Sequence, residues 1–210
     1  MRRLHAIFLT LAAITLLTAG CATTGPQPLA WDVLPYPRDS DWPAWSGIPG
    51  SLEGETLVLQ GHPVRTHETY SVPLTIECEV ELEARVATDG FFGMGFVPAS
   101  APPDVGPLNL RWLQIACRGP SAASGRDALI FLARDGGLRD RIVWGEQPFA
   151  VTAGKPYTVR LEVTEDGIRA VIDGRAYDLK GVKIPYKRFH IWLDGWQPTD
   201  RWRVRNFVIH

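Results

Sequence analysis

Thr75-Ile76-Glu77-Cys78-Glu79-Val80-Glu81-Leu82-Glu83-Ala84-Arg85-Val86 is the stretch on which the reading of the fold turns. Apolar residues at 76, 78, 80, 82, 84 and 86 alternate with charged residues at 77, 79, 81, 83 and 85. Successive side chains of a strand point to opposite faces, so this spacing gives one dry face and one wet face. On a helix the same spacing would scatter the apolar residues around the circumference. The stretch predicts a long strand with its charged side in water.

The same phase recurs downstream. Leu113, Ile115 and Cys117 alternate with Trp112, Gln114 and Ala116, and Tyr157 to Val163 alternates with Thr158 to Thr164. Phe189, Ile191 and Leu193 alternate with His190, Trp192 and Asp194. Shorter candidate strands are 56–61, 91–97, 128–133, 141–144, 167–172 and 202–209. Glu165-Asp166-Gly167 predicts a tight hairpin with glycine at positive φ, and Asp135-Gly136-Gly137 and Asp173-Gly174 predict further turns. No capped stretch of helical period follows residue 21. Ten to twelve short antiparallel strands predict an all-β fold, a two-sheet sandwich or jelly roll.

The N-terminus carries a different grammar. Arg2 and Arg3 precede an apolar run from Ala6 to Leu17, and small residues lead to Cys21. That order is a secretory signal, and the apolar run is too short for an ordinary membrane-spanning helix. Leu17-Thr18-Ala19-Gly20-Cys21 resembles the lipobox of bacterial lipoproteins. The resemblance implies a signal peptide over 1–20, lipidation of Cys21, insertion of its acyl chains in a lipid bilayer, and a place in the bacterial envelope at the outer membrane. Residues 21–40, with Pro26, Pro28, Pro35 and Pro37, read as a tether. A single sandwich domain is then expected over 41–210.

Composition bounds the partners. The 210 residues include 22 Lys and Arg against 23 Asp and Glu. Removing 1–20 takes away Arg2 and Arg3, leaving 20 basic against 23 acidic residues, a net of −3. Nothing forms the basic stripe that nucleic acid needs. Cys78 and Cys117 both fall on apolar phases, so a buried disulfide and two buried thiols both fit. No spacing of Cys and His suits a metal, and no motif demands a cofactor. Calcium stays open, because carbonyls and scattered Asp residues can bind it without a linear motif.

The order of segments also resembles the concanavalin A-like lectin/glucanase jelly roll. Within that group it is similar to the laminin-G-like and 3-keto-disaccharide-hydrolase-like domains of envelope proteins. The likeness rests on 54–61, on Tyr70 leading into the 75–86 strand, and on Phe91-Phe92-Gly93-Met94-Gly95-Phe96. Later it rests on 157–163, the 167–177 hairpin, 189–193 and the closing 202–209. It implies a concave sheet face of the kind used for carbohydrate.

Two groups of residues are candidates for that chemistry. Trp112 and Trp192 lie on the phase opposite the apolar residues of their strands, where an exposed indole can stack on a sugar ring. Gln114, His190, Asp194 and Arg160 are candidate donors and acceptors around them, with Trp196 at a rim. The alternative is that a loop covers both rings as a second small core. Glu79 and Glu81 are a candidate carboxylate pair for glycoside hydrolysis, since Glu79-Val80-Glu81-Leu82-Glu83 resembles the acidic catalytic strand of laminarinase-type glycosidases. Here the alternative is a solvated face balanced by Arg160, Arg203 or Arg205. Three functions therefore stand: a carbohydrate-binding lipoprotein, a glycoside hydrolase acting on a disaccharide or 3-keto sugar, and a structural lipoprotein with no small ligand.

Overall fold

The computed structural model describes residues 29–33, 48–84, 90–102, 109–116, 127–135, 141–195 and 197–210, with the backbone alone at 48–49, 109–116, 132–135 and 141–144. Among these residues there are fourteen strands and no helix. The first sheet runs, in spatial order, β1 (Trp31–Val33), β4 (Val64–Thr66), β13 (Phe189–Gly195), β6 (Phe91–Pro98), β7 (Asn109–Ala116), β8 (Ala128–Asp135) and β9 (Arg141–Pro148). The second runs β12 (Arg175–Lys180), β11 (Gly167–Ile172), β10 (Pro156–Val163), β5 (Leu74–Ala84), β14 (Arg201–Ile209), β3 (Thr56–Gln60) and β2 (Ile48–Glu53). All pairings are antiparallel. The chain folds as the antiparallel jelly-roll sandwich that its alternation predicts.

The period-2 stretches supply the core. Ile76, Cys78, Val80 and Leu82 of β5 are buried with Val159 and Leu161 of β10, Phe92, Met94 and Phe96 of β6, and Phe189, Ile191 and Leu193 of β13. Burying each large apolar side chain contributes roughly 1.5–3 kcal/mol. Trp202 of β14 is fully buried and its ring lies 5.8 Å from that of Phe92, which ties the two sheets together beside β5.

Three details depart from the sequence reading. First, β1 lies within 21–40, the stretch read as tether. Its three residues pair with β4, and Trp31 packs edge-on against Phe207, ring centroids 5.1 Å apart. The apolar ring of Trp31 finds a wall, so the folded unit reaches back to at least residue 29. Second, the glycine hairpin with positive φ is Asp173-Gly174, at 48° and 76°, between β11 and β12. Both angles are positive, as a two-residue turn matched to strand twist requires. Gly167 has no positive φ; a Cβ there would meet the Leu179 carbonyl oxygen at 2.6 Å, so close backbone approach requires that glycine. Third, β2 and β4 were not anticipated. Cys21, Cys117 and Trp196 lie outside the described residues, as does most of the predicted 135–137 turn. Cys78 is a free buried thiol, its pKa pushed up by burial and then by the Glu79 charge.

Candidate functional site

The outer faces of the two sheets are built differently. On the second sheet, the wet phase of β5 carries Glu77, Glu79, Glu81 and Glu83, and each meets arginine. Arg205 Nη1 donates to Glu79 at 3.1 Å and to Glu81 at 2.7 Å. Those two carboxylates, Glu81 foremost, raise the guanidinium's pKa. Arg201 and Arg203 both bridge Glu53 and Glu83. Arg160 pairs with Glu77 at 3.0 Å and with Glu162 at 2.9 Å. The register explains two of the matches, since Arg205 stands opposite Glu79 and Arg160 opposite Glu77, while Arg203, opposite Glu81, reaches diagonally to Glu83. This is the solvated, arginine-balanced face, with all three anticipated arginines in place.

On the first sheet the described side chains of the central strands on the corresponding face are buried. Trp192 is 4% exposed, His190 7% and Asp194 4%, so all seven residues of β13 are buried. Phe91, Val97, Ala128 and Ile130 are buried as well, on the side away from the inter-sheet core. Trp192 was expected to stand exposed as an open stacking platform, and it does not. Strand alternation says which side a residue occupies and is silent on what lies over it.

Local hydrogen bonds fix His190. The chain makes a detour at residues 67–69 between the β4–β13 pairing and the Tyr70–Phe189 bridge. The His190 ring nitrogen Nδ1 lies 2.8 Å from the Thr66 carbonyl and 3.2 Å from that of Glu68. Carbonyls only accept, so Nδ1 carries a proton, and in the neutral ring Nε2 is the acceptor. Thr66 Oγ1 donates to the Glu68 carbonyl at 2.9 Å and accepts the Ile191 N–H at 3.1 Å, replacing the missing ladder bond with a side chain.

Register places the remaining candidates. Trp192 stands opposite Arg65 on one side and Gly95 on the other, and Gly95 stands opposite Trp112. In the next row Asp194 and Gln114 flank Gly93. Strands lie about 4.8 Å apart, so the two tryptophan positions are roughly 10 Å apart across a glycine track. Glycine within a strand often marks a place where another group comes close. The indole N–H of Trp192 is buried with no hydrogen-bond partner among the described residues. Arg65, unmarked in the sequence, belongs to this row. Its Nη1 donates to the Ala101 carbonyl at 3.1 Å, and its Nε lies 3.6 Å from Asp32 Oδ2.

Trp112, Gln114, His190, Trp192 and Asp194 therefore share one face by register. Arg160, Glu79 and Glu81 do not join them: they are on the outer face of the opposite sheet. Position along a strand carries no information about sheet membership, which is why the sequence merged them. Arg65 was missed because Val64-Arg65-Thr66 is too short to show a period. Among the described residues, no group of three or more His, Cys, Asp or Glu forms a metal site.

No protein-family model and no curated protein matches the chain. Solved structures do. The carbohydrate-binding module CBM66 from Bacillus subtilis superposes with a TM-score of 0.58 at 14% identity, covering 86% of this chain and 94% of that one. The metal-free carbohydrate recognition domain of Emp46p gives 0.62 at 14% identity, covering 87% and 88%. A chain from work on endo-acting O-glycanases of human gut bacteria gives 0.58 at 11%, covering 91% and 95%. At such identities the likeness is one of fold alone: this chain and those structures share the two-sheet antiparallel jelly-roll sandwich.

Proposed function

We propose that this chain is a carbohydrate-binding module carried on a bacterial envelope lipoprotein, with the sugar taken on the outer face of the first sheet. The observation that carries the reading is the row Trp192–Gly95–Trp112, beside Asp194–Gly93–Gln114. A pyranose has apolar C–H faces and a rim of hydroxyls. Aromatic positions on either side of a glycine floor suit the faces, and His190, Asp194 and Gln114 suit the rim. The names of two fold neighbours, a carbohydrate-binding module and a carbohydrate recognition domain, support this reading.

The lipobox resemblance supports anchoring through Cys21. Trp31 stands ten positions after Cys21, with nine residues between them. At about 3.5 Å per residue, β1 stays within roughly 35 Å of the acyl chains. The carboxylates Glu79 and Glu81 share one guanidinium on the other sheet, and no step of hydrolysis is assigned to them.

A second reading rests on the burial of Trp192, Val97 and Ile130: the face is a second core in a structural lipoprotein. Binding to an immobilised glycan panel separates the two. Trp192→Phe keeps an aromatic ring but removes the N–H and part of the stacking area, so it should weaken binding about tenfold, roughly 1.4 kcal/mol. The Glu79→Gln, Glu81→Gln pair should bind as the parent does. No glycan bound by the parent supports the structural reading instead.

A further inference from the structure

We infer that the N-terminal strand β1 sets the charge selectivity of the sugar face: Asp32 neutralises Arg65 beside Trp192, so the face takes neutral sugars in preference to anionic ones. The inference rests on the carbohydrate reading above and adds a specificity residue from outside the face's own strands. Asp32, Arg65 and Trp192 occupy successive Cα partners across β1, β4 and β13. Side-chain exposure falls along this row, from 37% at Asp32 to 11% at Arg65, while Trp192 as a whole is 4% exposed. Asp32 is the most exposed of the three, so a ligand reaching Trp192 from the β1 side passes the guanidinium first.

Arg65 does not stand there as a free cation. Asp32 Oδ2 is 3.6 Å from its Nε, and the Ala101 carbonyl takes one of its Nη1 protons. The carboxylate so placed cancels the charge of the guanidinium. Asp32 Oδ1 also meets His67 Nδ1 at 3.1 Å, which holds the carboxylate between the two side chains. The pairing depends on β1 docking: the Ala30 carbonyl accepts the His67 N–H at 2.9 Å, and Trp31 packs on Phe207. Without Asp32, the same guanidinium is an uncompensated cation beside an aromatic ring, a setting that favours a uronate carboxylate.

The test compares binding of the whole mature chain to neutral oligosaccharides and to uronic-acid oligosaccharides of matched length. The parent should favour the neutral set. Asp32→Asn keeps shape and removes the charge, and should move the uronate-to-neutral ratio upward about tenfold. Adding Arg65→Gln should return the ratio to the parent value, which a merely structural role for Asp32 would not produce. An unchanged ratio in a folded Asp32→Asn that still binds overturns the inference and leaves the carbohydrate reading standing. A parent that prefers uronates overturns it as well. A parent that binds neither set overturns both.

Discussion

The two outer faces of this sandwich start from the same rule and end as opposites. On β5 and on β13, every second residue points away from the inter-sheet core. On β5 those residues are glutamates that reach water and arginine, their side chains from 17% to 42% exposed. On β13 they are His190, Trp192 and Asp194, all buried. Alternation determines the side. The chemistry of the alternate residues and the surrounding chain determine whether that side is a solvated charge lattice or a buried layer.

This contrast makes ordered predictions. The largest effect should come from the buried layer: Trp192→Ala removes a buried indole and should cost about 3–5 kcal/mol in denaturant unfolding. A cost near zero would mean that the ring packs against nothing and that the faces do not differ. Next is Thr66→Val, which strands the Ile191 N–H and should cost about 1–3 kcal/mol, with amide exchange at residue 191 faster than in the parent.

The charged face should respond weakly. Arg205→Ala breaks two ion pairs that water already screens, and should cost about 0–1 kcal/mol, less still at high salt. A cost as large as that of Trp192→Ala would erase the comparison. The smallest effect concerns alkali. The folded-state pKa of Cys78 is raised, so the unfolded chain gives up its thiol proton first. Stability from this group is complete below the unfolded thiol's pKa near 9.0 and declines as pH rises above it. Cys78→Ala should flatten that alkaline decline in thermal melts, whatever it costs at neutral pH.

The fold was legible because its long strands alternate strictly: 75–86, 157–163 and 189–193 each declare a dry side, and Asp173-Gly174 declares its turn. The three-residue strands β1 and β4 were not, since three residues hold no period. Their existence depends on partners far along the chain, such as Phe207 for Trp31 and Trp192 for Arg65. The candidate face was half legible. The phase grouped His190, Trp192 and Asp194 correctly, yet nothing in a local pattern separates Arg160 on the second sheet from Gln114 on the first.

The most direct measurement is an NMR titration of the indole N–H resonances with a neutral oligosaccharide that the parent retains in the glycan panel. Saturable shifts are expected at the Trp192 indole and at the Gly93 and Gly95 amides, with Glu79 and Arg205 undisturbed. Saturable shifts confined to the glutamate–arginine face, with the Trp192 indole unmoved, would contradict the proposed sugar face.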